Sequence, residues 1–207
     1  MEKVIILLAV IGLLAGCSGE GKLKIINRTE HEIYFNIENR DYLIEGSNIA
    51  EEFNSITITL DAGKDFPNTP RKTYLLSIIG ETFAIYDYDQ QVDVPDTKIN
   101  IEKNETTSVY CDPNYACLRI TNNSDQFIQS AYYIKSYNGN QINISQAENL
   151  SPGESVYKHL EYSLKQPEEP EDNFYYIFGV VMPDTTYIEG DETTILYLDD
   201  LYELVIE

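Results

Sequence analysis

The sequence predicts an all-β protein built from two tandem antiparallel β-sandwich domains. Two observations lead to this prediction: short stretches in which apolar and polar residues alternate, and an internal repeat that divides the chain into halves of similar length. Alternation with a period of two places successive side chains on opposite faces of a strand, so that one face can meet a core. Clear examples lie at residues 33–37, 56–60 and 99–101.

The internal repeat consists of two matches. The segment 23–29 (LKIINRT) resembles 118–124 (LRITNNS) at an offset of 95 residues, and 101–110 resembles 188–197 at an offset of 87. The smaller offset indicates that the first copy is about eight residues longer than the second. We therefore predict one domain at 22–116 and another at 117–207, with almost no linker between them.

Each copy contains further strand signals. Residues 74–79 and 174–181 are largely apolar on both faces, which predicts central, covered strands, and Pro-rich loops precede them at 66–70 and 166–170. The C-terminal segment 198–205 has helical spacing, but its match to the β-rich segment 111–120 favours a strand. Seven or eight short strands in about 90 residues indicate a sandwich of immunoglobulin or transthyretin type. The opening motif LxIxNxS at 118–124, with Ile128 after it and LSPGES at 150–155 before a strand, resembles sandwich modules of bacterial proteins, and copy two fits this resemblance better than copy one.

The N-terminus carries an export signal. Lys3 precedes about twelve apolar residues at 4–15, a run too short to span a membrane and typical of the apolar part of a signal peptide. The run closes on Leu14-Ala15-Gly16-Cys17, which resembles the lipobox of bacterial lipoprotein precursors. This resemblance implies that residues 1–16 are removed and that Cys17 is lipidated. An ordinary signal peptide with a chance cysteine is the alternative.

The resemblance also implies a location and a mode of attachment. The mature chain would be anchored by lipid in the cell envelope, and Ser18 after the cysteine implies the outer membrane, with the leaflet undetermined. Residues 17–21 are predicted to be a short, flexible, lipidated tether. With 14 basic and 35 acidic residues the net charge is −21, which opposes contact with anionic lipid and with nucleic acid. We therefore expect membrane attachment through lipid alone and no nucleic-acid partner.

Two further cysteines are candidates for a disulfide. Cys111 and Cys117 flank the turn-rich segment 112–116 between two predicted strands. Across a hairpin two cysteines can approach to bridging distance, and an exported chain meets an oxidising compartment, so we predict a Cys111–Cys117 disulfide. Two buried free thiols are the alternative.

The sequence offers little for a metal or a cofactor. Four carboxylates fall in one loop-like stretch and make a weak calcium candidate, because calcium prefers oxygen ligands: Asp87, Asp89, Asp93 and Asp96. The stretch lacks the glycine and terminal glutamate of an EF-hand loop, so a solvated acidic loop is the simpler interpretation. His31 and His159 have no ligand or nucleophile partner in the sequence, and we predict that both lie at the surface. No cofactor is predicted.

The chain has 17 tyrosines and no tryptophan. Tyrosine combines a large ring with a polar hydroxyl, so it is the residue type in this chain best suited to contacting a binding partner. Tyr132, Tyr133 and Tyr137 flank a predicted hairpin tip at 138–140 and form a weak candidate binding surface. Ordinary sheet surface is the simpler interpretation of these residues.

The sequence contains no nucleophile elbow, zinc-protease motif or P-loop. We therefore expect a non-catalytic binding or structural module with a protein or glycan partner. One alternative is a subunit of a pilus or secretion apparatus, because some bacterial fimbrillins are lipoprotein precursors with two transthyretin-like domains. The least favoured alternative is a glycan-processing hydrolase that uses a pair of carboxylates.

Overall fold

A computed structural model of the protein describes residues 18–47, 52–64, 71–137, 140–164, 175–190 and 194–207. These residues are β-strands and their connections, which confirms the all-β prediction. Over the same ranges, no helix long and apolar enough to cross a membrane is found. The strands are β1 (Ser18–Asn27), β2 (Ile33–Ile37), β3 (Arg40–Ile44), β4 (Ser55–Lys64), β5 (Arg71–Gly80), β6 (Ile85–Asp87), β7 (Val92–Val94), β8 (Asp96–Glu102), β9 (Thr106–Cys111), β10 (Ala116–Asn122), β11 (Ile128–Tyr137), β12 (Asn140–Leu150), β13 (Ser155–Leu160), β14 (Tyr175–Val181), β15 (Tyr187–Glu189) and β16 (Leu201–Ile206).

The chain divides into two compact units. Unit 1 contains the described residues up to Arg28, then Tyr34–Ile78 and Ile85–Cys111. Unit 2 contains Asp112–Glu207 together with two short segments from the first half of the sequence, Thr29–Ile33 and Ile79–Ala84.

The two units share one strand plan. In unit 1 the sheets have the orders β4-β1-β9 and β3-β2-β5-β8, and β6 and β7 form a separate two-stranded sheet. In unit 2 the orders are β13-β10-β16 and β12-β11-β14-β15. In both units the first strand is the centre of the three-stranded sheet, antiparallel to one neighbour and parallel to the last strand of the unit.

In the three-stranded sheets, the strand register aligns the two copies of the repeat at a single offset. Leu23 pairs with Thr107 in unit 1, and Leu118 pairs with Tyr202 in unit 2. Both strands of the pair are therefore displaced by 95 residues, so that β16 is the counterpart of β9. The predicted offset of 87 for this strand is wrong, because it followed a short similarity of residue types, whereas pairing with the first strand fixes the position in the sheet. The prediction that the chain ends in a strand is confirmed.

Alternating burial builds the cores. In β5 the inward side chains are buried and Leu75 between them is 55% exposed, so the predicted cover on both faces is wrong for this strand. In β14 consecutive residues are buried, as predicted for a covered strand. The core of unit 2 consists of Ala116, Leu118, Ile120, Ile128, Ala131, Tyr133, Leu150, Leu160, Tyr176, Phe178, Val180, Met182, Leu196 and Ile206.

A buried asparagine at the end of the first strand joins the two sheets of each unit. The Asn27 side-chain amide donates to the carbonyls of Ile44 and Glu45, each at 3.2 Å. The Asn122 amide donates to the carbonyl of Leu150 at 2.9 Å and to that of Gln126 at 2.8 Å. Ile44 and Leu150 end the third strand of their units, so each amide links the three-stranded sheet to the four-stranded one. Both asparagines are fully buried.

The structure corrects the predicted tether at its described residues, 18–21. They form the first part of β1, where Ser18 pairs with Lys64 and Gly21 with Leu60. Gly21 is required there, because a Cβ at this position would lie 2.2 Å from the Glu102 carbonyl oxygen. Two glycines in a polar segment suggested flexibility, but here glycine allows the turn after β8 to approach the strand closely.

Replacing Asn122 with alanine should lower the free energy of unfolding by about 2 kcal/mol, because two carbonyls lose their donor and a buried polar group is removed. Equilibrium urea unfolding measures this loss. Asn123 is the neighbouring exposed residue, and Asn123→Ala should change the unfolding free energy by less than about 0.5 kcal/mol. Equal effects of the two substitutions would contradict the proposed role of the buried amide.

Candidate functional site

Cys17, the predicted lipidation site, lies outside the described residues. The predicted disulfide is not formed: Cys111 and Cys117 are both buried, and neither belongs to a disulfide. The physical reason is that β9 and β10 are not a hairpin. Each lies in a different three-stranded sheet, so the two cysteines do not face each other across a strand pair. Burial raises the pKa of the Cys117 thiol to about 12, which keeps this thiol protonated at neutral pH.

The four candidate calcium ligands do not come together as a metal site. In the part of the chain that the structure describes, no group of three or more His, Cys, Asp or Glu residues could hold a metal ion. Asp87 instead accepts hydrogen bonds from the backbone amides of Asp89 and Gln90, at 2.9 and 3.1 Å, and from the Gln90 side chain at 2.8 Å. Asp93 lies on β7 and Asp96 begins β8.

Two of the three tyrosines that flank the predicted tip at 138–140 have described side chains, and these two do not form an exposed surface. Tyr132 and Tyr133 are both buried, and the Tyr133 ring packs edge-to-face on Tyr176 in the core of unit 2. The Tyr132 hydroxyl donates to Glu189 at 2.9 Å, and burial raises its pKa to about 12. The prediction followed the position of these residues beside a turn, although their strand is central in its sheet. The side chain of Tyr137 and residues 138–139 lie outside the description.

The hairpin formed by β6 and β7 presents the most exposed aromatic side chain of the described residues. Tyr88 at its turn is 84% exposed, and the ring of Tyr86 packs edge-to-face against it with centroids 5.1 Å apart. Val92 on the opposite strand is 48% exposed. The hairpin thus places two tyrosines and a valine in solvent, beside the carboxylates of Asp89 and Asp93.

The turn of this hairpin is held in one conformation. Both carboxylate oxygens of Asp87 accept hydrogen bonds from the turn, and the Gln91 amide donates to the Asp87 carbonyl at 2.7 Å. The backbone and side-chain hydrogen bonds from Gln90 lower the pKa of the Asp87 carboxyl, so Asp87 is ionised at neutral pH. A fixed turn reduces the conformational entropy that Tyr88 would lose on binding.

The hairpin is also a difference between the two units. It does not make the first copy longer, because the first and last strands pair across 84 residues in both units, so the predicted extra length of the first copy is wrong. In unit 1 the chain passes through β6 and β7 between β5 and β8, whereas in unit 2 only the turn 182–186 joins β14 to β15. The hairpin is therefore an addition to a strand plan that the two units otherwise share. Sequence reasoning placed the segment in an acidic loop and did not detect it. The available signal was alternation in the two flanking triplets, IYD and VDV.

A second exposed apolar surface lies on the outer face of the four-stranded sheet of unit 1. Tyr34, Leu43 and Leu75 come from three strands of this sheet and are each about half exposed. Asn36 donates to Asp41 at 2.7 Å on the same face, so the apolar side chains are accompanied by polar ones.

Unit 2 contains a partly buried cluster of charged residues. Glu81 is buried and forms an ion pair with Arg119 on β10. The guanidinium of Arg119 also lies 3.6 Å from Glu203 on β16. Asp199 accepts hydrogen bonds from the Thr82 hydroxyl and, at 2.8 Å, from the Glu30 amide. The cluster fastens the segments Thr29–Ile33 and Ile79–Ala84 within unit 2, which is a structural role.

Both histidines take part in this packing, and the prediction that they lie at the surface is wrong. His31 Nε2 lies 2.7 Å from the Asp199 carbonyl oxygen, and its Nδ1 lies 4.0 Å from Glu81. Because a carbonyl only accepts, Nε2 carries the proton. His159 Nε2 donates in the same way to the Gly80 carbonyl at 2.8 Å, and its ring stacks on Tyr115. Sequence reasoning missed these contacts because the partners are 44 to 168 residues away.

No protein family model matches this chain, and no curated protein matches it in sequence. Among solved structures, the Bacillus anthracis TIE protein is similar at 12% identity and a TM-score of 0.28, over 91% of this chain and 34% of the other. The chain thus corresponds to about a third of that structure. A variant of the major pilin from Streptococcus pyogenes is similar at 10% identity and a TM-score of 0.24, over 91% of this chain and 98% of the pilin. A DUF3823 family protein from Bacteroides ovatus is similar at 10% identity and a TM-score of 0.24, over 84% of this chain and 97% of the other.

The charged cluster gives a prediction about pH. Burial raises the pKa of the Asp199 carboxyl, and the hydrogen bonds from Thr82 and Glu30 only partly oppose this. The folded state therefore binds this proton more tightly than the unfolded state, so its contribution to stability is present at low pH and is lost as pH rises through the raised folded-state pKa. The stability of Asp199→Asn relative to the unsubstituted protein should rise with pH between about 3 and 7, as urea unfolding would measure.

Asp184 is the matched control, because its pKa is shifted in the opposite direction. Hydrogen bonds from Thr186 lower the pKa of this exposed carboxyl, so its contribution to stability is lost as pH falls through the lowered folded-state pKa. Asp184→Asn should therefore lose relative stability as pH rises over the same range. Parallel pH profiles for the two variants would show that the assigned environment of Asp199 is incorrect.

Proposed function

We propose that the protein is a lipid-anchored, non-catalytic binding protein of the bacterial cell envelope. In this proposal Cys17 carries the lipid, the outer membrane holds the anchor, and the hairpin of β6 and β7 contacts a partner. The observation that carries it is Tyr88, which is 84% exposed on a fixed turn that the second unit lacks. Exposed tyrosines on rigid turns supply large contact areas at a small entropic cost, as they do in antibody loops.

The composition of the hairpin supports a protein partner with basic side chains. Asp89 and Asp93 flank the exposed rings, and a lysine or arginine can pair with a carboxylate while packing on a tyrosine face. A glycan partner remains the second candidate for the same surface. Tyr34, Leu43 and Leu75 offer a further apolar area on the same unit.

The shared strand plan supports a transthyretin-like sandwich for each unit. In the immunoglobulin constant fold the first strand lies in a four-stranded sheet beside the second strand. In this chain the first strand instead lies between the fourth and last strands of its unit, in a three-stranded sheet. Of the two sandwich types considered, we therefore propose the transthyretin type, in two tandem copies.

Anchoring is tested by cell fractionation. Cys17→Ala should move the protein from the membrane fraction to the soluble envelope fraction, and metabolic labelling with a fatty-acid analogue should be lost with it. Cys117→Ser is the control, because this buried cysteine should leave labelling unchanged. Continued labelling of Cys17→Ala would contradict the assignment of the anchor. Protease treatment of intact cells then distinguishes a surface location from a periplasmic one.

Partner contact is tested by site-specific photo-crosslinking in cells. A photoreactive amino acid in place of Tyr88 should give a discrete adduct, and the matched position is Tyr187, an exposed tyrosine on β15 of unit 2. Asp89→Lys with Asp93→Lys should reduce the Tyr88 adduct at least fivefold, because it reverses the local charge. Equal crosslinking from the two positions, or no effect of the charge reversal, would contradict the hairpin as the contact element.

A pilus or secretion-apparatus subunit is the second candidate, and the central position of β1 favours it. Leu23 and Ile25 of β1 are fully buried, and the strand pairs with both β4 and β9. Removal of β1 would expose two strand edges and an apolar groove that a strand from another copy could fill. Concentration-dependent polymers of a chain lacking residues 1–27 would support this function, whereas a folded monomer would count against it.

A further inference from the structure

We propose that the end of unit 1 at which β1 begins is a membrane-contact surface that rests on phospholipid headgroups, an inference that depends on the proposed lipidation of Cys17. We define this anchor-end surface by residues 18–22, 61–64, 71–72 and 102–105. The −21 charge of the chain opposes contact with anionic lipid, which by itself would favour a body that stands away from the membrane on the predicted tether. The geometry of β1 points to the opposite arrangement.

No spacer separates the lipidated residue from the folded unit. Ser18, the residue after Cys17, already pairs with Lys64 in the sheet. One residue of extended chain reaches at most about 3.5 Å, so a lipid on Cys17 would bring the start of β1 to the headgroup layer. Unit 1 therefore cannot stand off the membrane unless β1 itself separates from the sheet.

The beginning of β1 is held firmly in place. The Asn104 amide donates to the Glu20 carbonyl and the Lys22 amide to the Glu105 carbonyl, each at 2.8 Å. The turn after β8 lies so close to the strand that a Cβ at Gly19 would meet the Lys103 side chain at 2.5 Å. Lys103 thus lies beside the second residue after the anchor.

The charges of the anchor-end surface do not oppose contact with phospholipid headgroups. Among its described side chains four basic residues balance four acidic ones, so this surface is neutral on a chain of net charge −21. The acidic Asp61 is paired with Lys72 at 3.6 Å, and Glu38, at the nearby turn between β2 and β3, lies 3.9 Å from the same lysine. Charge effects at a membrane extend about 8 to 10 Å, so the surface facing the lipid determines the interaction.

A cleft of about 340 Å³ opens beside this surface. Its lining is polar and includes charges of both signs: Glu20, Gly21, Lys22, Thr59, Asn104, Glu105 and Thr106. A phospholipid headgroup that carries an ammonium and a phosphate has the same pairing of charges.

The test uses the native lysines as probes of membrane contact. A chain beginning at Cys17, which keeps every residue that the structure describes, is coupled through that thiol to a maleimide phospholipid in vesicles containing one quarter anionic lipid. Cys111 and Cys117 are buried, so Cys17 is the reactive cysteine. An acetylating reagent is then applied, and mass spectrometry measures the rate of modification at each lysine.

We expect acetylation of Lys103 and Lys22 to slow at least threefold relative to the uncoupled chain mixed with the same vesicles. Lys158, an exposed lysine on β13, is the matched probe and should change by less than 1.5-fold. Inserting twelve Gly and Ser residues between Cys17 and Ser18 should restore the rates at Lys103 and Lys22, because the unit can then leave the surface.

Equal changes at Lys103 and Lys158, or protection that survives the inserted spacer, would overturn the proposal. Because the lipid is attached chemically, this result is independent of whether cells lipidate Cys17. Failure of the fractionation experiment would therefore remove the proposed anchor without deciding the orientation, and failure here would remove the orientation without affecting the anchor.

Discussion

The buried amide at the end of the first strand is the interaction on which each unit depends. A sandwich of two sheets is held mainly by apolar contacts, which have no strong directional preference. Asn27 and Asn122 add a directional link, since each donates to a carbonyl at the end of the third strand in the opposite sheet. A displacement of one sheet along the other would leave these buried groups without partners, which is costly. The amide therefore fixes the relative position of the two sheets as well as their contact.

The three-stranded sheets of the two units share one strand plan but differ in the side chains on their outer faces. On β10 the outward residues include Cys117 and Arg119, and in unit 2 Arg119 is ion-paired with the buried Glu81. At the equivalent positions of β1 stand Lys22 and Lys24, of which Lys22 is exposed and Lys24 half-buried. The repeat thus conserves the strand pairing and the sheet-joining asparagine, while the outward side chains differ. Unit 2 uses this face for internal packing, and unit 1 presents it to solvent.

The sequence was sufficient for the features that depend on local pattern. Alternating residues identified the strands, and the similarity of residues 23–29 to 118–124 located the first strand of each unit together with its asparagine. Features set by distant pairing were not accessible in the same way. Whether Cys111 meets Cys117 depends on which strands are neighbours, and the partners of His31 and His159 are far away in the chain. The two glycines in the polar segment at 17–21 were equally ambiguous, because a flexible tether and a strand that another backbone segment approaches closely can have the same amino-acid composition.

The position of the first strand has a kinetic consequence. In each unit the first strand pairs with the last across 84 residues, as Leu23 with Thr107 and Leu118 with Tyr202. Contacts between residues so far apart close large loops, and proteins dominated by such contacts fold slowly. Neither three-stranded sheet can be completed until nearly the whole unit has been synthesised. A chain that crosses a membrane in the unfolded state would stay unfolded for longer with this topology, because its first strand cannot complete its sheet before the last strand is present.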